Sequence, residues 1–256
     1  MLFRRVLKHV NDQNWTAVFI DLVIVVIGVF MGIQVANWNE ARLLRDTEAG
    51  HLRALENDIA LSTESLESML VELNKQQSAR QRLYEINRDP DAAASPKEID
   101  DLLQGALFNI QRIRVNQAGF DGLKGAGGYS VIGEPELIAE LQALDALLTS
   151  AVSRQEEDFQ ITFLYTDPFL IEEANVDNLL MSGYVGQPGH MPWIERVEGA
   201  GVSNDVLRSR KLKNLVLYRA EIADGRIRST QGLLEQYEKV QALIDVRQQT
   251  LGVPSK

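Results

Sequence analysis

The chain has 256 residues, 45% of them apolar and 24% charged, with no cysteine and a formal net charge of −10. This length suits one large domain or two small ones, and the apolar share is enough to bury a core. Disulfide frameworks, thiolate chemistry and cysteine-ligated metal sites are excluded. Charge is uneven: Arg4, Arg5 and Lys8 outnumber Asp12 and Asp21 in the first 36 residues, so the acidic excess lies wholly beyond them. Such a domain is repelled by phosphate backbones, which argues against nucleic acid as a partner.

Residues 1–15 read as a basic juxtamembrane segment, followed by FIDLVIVVIGVFMGIQ (19–34). Trp15 and Trp38 bracket residues 16–37 and suit headgroup-level aromatic positions. As a helix this interval spans roughly 33 Å, enough for a hydrocarbon core of about 30 Å. The run is too long for a secretory h-region and no A-x-A-like site follows it, so an uncleaved signal anchor is predicted. The charge bias across the span places the N-terminus in the cytoplasm and residues 38–256 in the periplasm, with the bacterial inner membrane as the expected location. Helical projection puts Asp21, Val25, Gly28, Gly32, Val35 and Asn39 on one stripe, with Gln34 nearly opposite. Gly28 and Gly32 form G-x-x-x-G, which lets two helix backbones approach closely. Asp21, Val25, Gly28 and Gly32 are therefore the expected membrane helix contact, because intramembrane carboxylates face protein rather than lipid. Gln34, Asn37, Trp38, Asn39 and Glu40 form the membrane-exit motif.

From Glu40 to about Asn87 there is no proline, and Leu52, Leu55, Ile59, Leu66, Met69, Leu70 and Leu73 recur at helical spacing. One long amphipathic helix is predicted, broken by Pro90 and Pro96. Ser95-Pro96-Lys97-Glu98 has capping-box form and opens a helix expected to reach about Ile113. Six of the chain's 18 glycines fall in 116–136, which predicts irregular turns. Glu134-Pro135 opens a helix ending before Pro168, and a short helix is expected over 169–181. Residues 182–201 read as a loop with Tyr184, His190 and Trp193 as a possible ligand loop; the simpler role for Trp193 is to cover the open end of the bundle. Ser203-Asn204-Asp205 caps a last helix that Gly252 and Pro254 stop. The fold class is all-α: one transmembrane helix, then an antiparallel helical bundle whose first and last long helices pack together.

Two stretches resemble a family of single-pass bacterial membrane proteins of unknown function. One is LVIVVIGVFMGIQVANWNE (22–40), similar to that family's acidic residue followed by V-I-G-I-x-I-x-x-Q-I-x-N-W-N-E, with Asp21 in place of the frequent glutamate. The other is FDGLKGAGGYSVIGEPELIAELQAL (120–144), similar to an L-K-S-S-G-x-L-x-x-I segment. The resemblance implies a membrane-anchored helical protein and no activity. A more distant similarity, at FIDLVIVVI, is to the single-span subunits of proton-driven stators of the Exb/Tol/Mot class. It implies a carboxylate that carries protons beside a polytopic membrane partner; the small mixed α/β domain of those subunits has no counterpart downstream.

Chemistry is sparse. Glu48 and His51 have E-x-x-H spacing, but no second copy completes a di-iron set, so no metal or cofactor is predicted. Asp100/Asp101, Glu156/Glu157 and Glu172/Glu173 are adjacent and do not share a helix face, so solvated surface is expected for them. The expected function is non-enzymatic: assembly, scaffolding or envelope sensing by a homo-oligomer in the lipid bilayer, with a proton-carrying or accessory role for Asp21 as the alternative.

Overall fold

The computed structural model describes residues 15–125, 127–184 and 191–252, and no strand occurs among them. The chain divides into two compact units, Met1–Gly50 and His51–Lys256. One helix, α1 (Trp15–Arg88), contributes residues to both. In the first unit, the apolar window of α1 has no buried residue. It is the one helix among the described residues long and apolar enough to cross a membrane.

The second unit is an antiparallel helical bundle. Besides Asp58 and Ile86, its buried positions on α1 run Leu52, Leu55, Ile59, Ser62, Leu66, Met69, Leu73, Gln76, Arg80 and Leu83. Those steps alternate three and four, the spacing that keeps one seam of a helix facing its neighbours. The last helix, α8 (Arg210–Leu251), repeats the pattern from Leu212 through Val216, Arg219, Ala223, Arg226, Thr230, Leu233, Tyr237, Val240 and Ile244. The two are antiparallel: Gln248 bonds Glu56, Gln77 bonds the Ala220 carbonyl, and Asn87 bonds the Leu207 carbonyl. The other long helix, α4 (Pro135–Ile161), is antiparallel to α8 as well, since Asp158 meets Arg219 and Gln236 meets Glu140.

Two helices both antiparallel to a third are parallel to each other, so the chain must return between α1 and α4. Residues 109–117 make that return. Ala106 lies beside Arg80 and Asn116 beside Ser62. Ten residues thus cover the rise of eighteen helical ones, about 27 Å, which only near-extended backbone achieves. This strap is tied down by side chains. Ser62 accepts from the Asn116 N–H at 2.9 Å and Gln155 accepts from the Ile113 N–H at 2.5 Å.

Several element boundaries differ from expectation. The Pro96 helix, α2 (Pro96–Leu103), passes into a π turn at Gln104–Phe108 and ends there, well before Ile113, because the strap must start. The glycine-rich stretch is partly regular: α3 (Ala118–Gly125) and a 3-10 turn at Gly128–Val131 occupy it. Asp58 accepts from the Gly119 and Phe120 N–H groups at 2.7 and 3.0 Å, capping α3 from another helix. Beyond α4, a second π turn (Thr162–Thr166) leads into α5 (Asp167–Glu173), which carries Pro168 in its first turn. A proline ring conflicts with the carbonyl four residues back, and the wider turn relieves that conflict. The expected short helix is two, α5 and α6 (Val176–Tyr184), separated at Ala174 and Asn175. Ser203 caps only the single turn α7 (Asn204–Leu207); Ser209 caps α8.

Candidate functional site

In the first unit, Asp21, Val25, Gly28 and Gly32 lie on the exposed surface of α1, as do Gln34, Asn37, Trp38, Asn39 and Glu40. A Cβ placed on Gly28 or on Gly32 would meet nothing within 4 Å. The stripe is therefore smooth and unfilled, and a carboxylate stands at one end of it. Just beyond Glu40, Arg42 and Asp46 pair at 3.8 Å and Thr47 bonds the Leu43 carbonyl at 2.8 Å.

The core of the second unit falls into two apolar clusters. One joins Leu52–Leu66 of α1 with α3, Leu137–Ala151 of α4 and Leu233–Ile244 of α8. The other joins Leu83 and Ile86 with α2, α5, α6, α7 and Leu212–Val216. A polar layer also lies within this unit. Arg80, Arg219 and Arg226 are all buried with Asp158, Gln76, Thr162, Thr166 and Thr230. The Asp158 carboxylate takes one oxygen to Arg219 and the other to Arg226. Arg219 also reaches the Thr162 hydroxyl at 2.5 Å, and Arg226 donates to the Gln111 carbonyl of the strap. Arg80 donates through Nε to the Ala106 carbonyl at 3.0 Å, inside the first π turn, and through Nη2 to Gln76 at 3.3 Å. Burial, then the neighbouring Arg219, pushes the Arg80 guanidinium down to about 9. Burial likewise lowers Arg219, against the pull of Asp158. Among the described residues, the Nε groups of Arg219 and Arg226 and the Thr166 hydroxyl find no hydrogen-bond partner. At about 9, the Arg80 guanidinium stays charged at neutral pH and fixes geometry there.

A second polar knot holds the segment before α7. Asp100, which was expected on the solvated surface with Asp101, is fully buried. It accepts from Arg196 and from the Gly201 N–H. Burial pushes its carboxyl up, opposed by the Gly201 N–H and then by Arg196. Asn178 bonds Val197 in both directions, accepting at 2.8 Å and donating at 3.2 Å. Trp193 in this segment is 74% exposed, so it covers no end of the bundle. Of the other two residues of that expected ligand loop, His190 and the side chain of Tyr184 lie outside the described residues. Glu156 and Glu157 are exposed as expected, and Lys211 pairs with Glu172 and Glu173 at 3.5 and 3.2 Å.

Among the described residues no cluster of histidine, aspartate and glutamate has metal-binding geometry. The arginine layer was missed in the sequence, although its signal was present. Arg219, Ala223, Arg226 and Thr230 keep the three–four spacing of the apolar positions on either side. Counting only apolar residues hides such positions. The chain matches no protein-family model, no curated protein and no solved structure.

Proposed function

We propose that this is a single-pass membrane protein whose span self-associates and whose helical bundle serves assembly or envelope sensing without catalysing a reaction. The observation that carries this reading is the unfilled stripe of Asp21, Val25, Gly28 and Gly32 on a helix with no buried residue in its apolar window. Lipid is no worse a neighbour than leucine, so small residues matter only where another backbone comes close. A carboxylate on the same stripe has strong reason to face protein. The bacterial inner membrane, a cytoplasmic N-terminus and a periplasmic bundle complete the proposal, supported by the flanking tryptophans and the resemblance of residues 22–40.

The test is the mass of the full chain in mild detergent. The wild type is expected to be a discrete oligomer and Gly28→Leu with Gly32→Leu a smaller species. A wild-type monomer, or an unchanged mass in the double variant, sinks the reading. Asp21 favours a second reading, in which the contact is a polytopic partner and the carboxylate docks it or carries a proton. That predicts co-purification of such a partner from native membranes and its loss in Asp21→Asn; retention of full binding by the variant counts against it.

A further inference from the structure

Along the second unit, α1 and the strap leave a trough of about 1120 Å³ between them. Its helix side carries Glu64 and Glu72; its strap side carries Arg112 and Arg114. Exposed Leu61 and Val71 stand at its margins. Among the described residues none of the four charged groups has an ion-pair partner: Glu72 accepts only from Gln76 at 3.5 Å, and Arg112 rests over the Phe159 ring at 4.8 Å. The trough therefore has an acidic rail on one side and a basic rail on the other.

The rails are in register. The strap runs antiparallel to α1, with Asn116 beside Ser62 and Ala106 beside Arg80. Each strap residue thus advances about two helix residues, roughly 3 Å. On this scale Arg114 stands level with Glu64, and Arg112 within about one helical turn of Glu72. A surface with opposite charges side by side at matched heights is its own complement under a two-fold axis directed along the trough. Rotation by half a turn places the acidic rail of one copy against the basic rail of the other, twice over, as a closed two-fold interface requires. Leu61 and Val71 supply apolar contact beside the pairs.

We infer that this trough is the face on which a second copy of the same chain docks, with Glu64 of each copy opposite Arg114 of the other and Glu72 opposite Arg112. The inference rests on the self-association reading and adds to it a second contact, outside the span. It also assigns specificity: a partner with a uniformly charged surface meets one like-charged rail wherever it docks, and like charges set against each other are strongly disfavoured.

The chain has no cysteine, so Ser68→Cys in the trough gives a clean cross-linking reporter in the detergent-solubilised full chain. A cross-linked dimer is expected. Adding Glu64→Arg alone, or Arg114→Glu alone, sets like charges together at both symmetric sites and should lower its yield roughly fivefold or more. Co-expressing the two singly reversed chains should restore it, because each then offers the charge the other lacks. Misfolded variants would not recover on mixing, so restoration reads docking and not folding. Absence of the cross-link, yields indifferent to charge reversal, failure of mixing to restore, or capture of a chain of different mass each overturns the inference. If the cross-link is missing while the oligomer persists and still depends on Gly28 and Gly32, only this face is wrong. A monomeric wild type removes the self-association reading as well.

Discussion

Asp158 holds two buried guanidiniums, and a third, Arg80, shares the layer with them. Removing its charge leaves arginines in the interior with no carboxylate against them, the costly half of a buried ion pair. Asp158→Asn should therefore destabilise the bundle by about 3–5 kcal/mol, measured by thermal or denaturant unfolding of the full chain in detergent. Replacing Arg80 with methionine removes a charge that has no carboxylate bonded to it and should cost far less; equal losses for the two variants would contradict this account of the layer. Arg80 also makes a pH prediction. Burial lowers its folded value to about 9, well below the ordinary guanidinium range, so above roughly pH 8 the unfolded chain binds more protons than the folded one at this site. Stability contributed by this group rises with pH in that range. The difference in stability between wild type and Arg80→Met should accordingly shift in favour of the wild type between about pH 8 and pH 10; a flat difference would show that Arg80 is not desolvated as described.

At the scale of elements, α3 takes its cap from α1, and the strap is tied to α1, α4 and α8 through Ser62, Gln155 and Arg226. Gly119 opens this arrangement. A Cβ there would lie 2.6 Å from the Ala54 carbonyl carbon and 2.7 Å from its oxygen, and backbone cannot step aside. Gly119→Ala should destabilise by about 1–3 kcal/mol, whereas Gly122→Ala, with open space around it, should not; calorimetry on both variants checks this. These features explain what sequence could and could not tell. Apolar residues at three–four spacing made α1, α4 and α8 legible, and Ser95 with Pro96 marked the start of α2. The strap was not legible, because its path follows from topology: α1 and α4 are parallel and the chain must return between them. The cap on α3 comes from Asp58, 61 residues before Gly119, and no local signal announces it. Asp100 was misplaced for a related reason, since its partners Arg196 and Gly201 are remote in sequence.

For the whole molecule, two units are distinct in character: one carries the apolar window of α1, the other is a helical bundle. The apolar window of α1 carries the exposed stripe of Asp21, Val25, Gly28 and Gly32. The bundle supplies a core in two apolar clusters with a buried charged layer, an arrangement that fixes helix register because only one alignment brings Asp158 to both arginines. Polar residues at seam positions lower stability and favour a single pairing. The most direct test of the central claim places the span in lipid. Full chains carrying one introduced cysteine near the membrane exit, labelled separately with donor and acceptor dyes, are reconstituted together in bilayers at high lipid-to-protein ratio. The account predicts energy transfer that persists on dilution with lipid and falls to the background of random proximity in Gly28→Leu with Gly32→Leu. Transfer that vanishes on dilution for the wild type, or that the double variant retains in full, would contradict it.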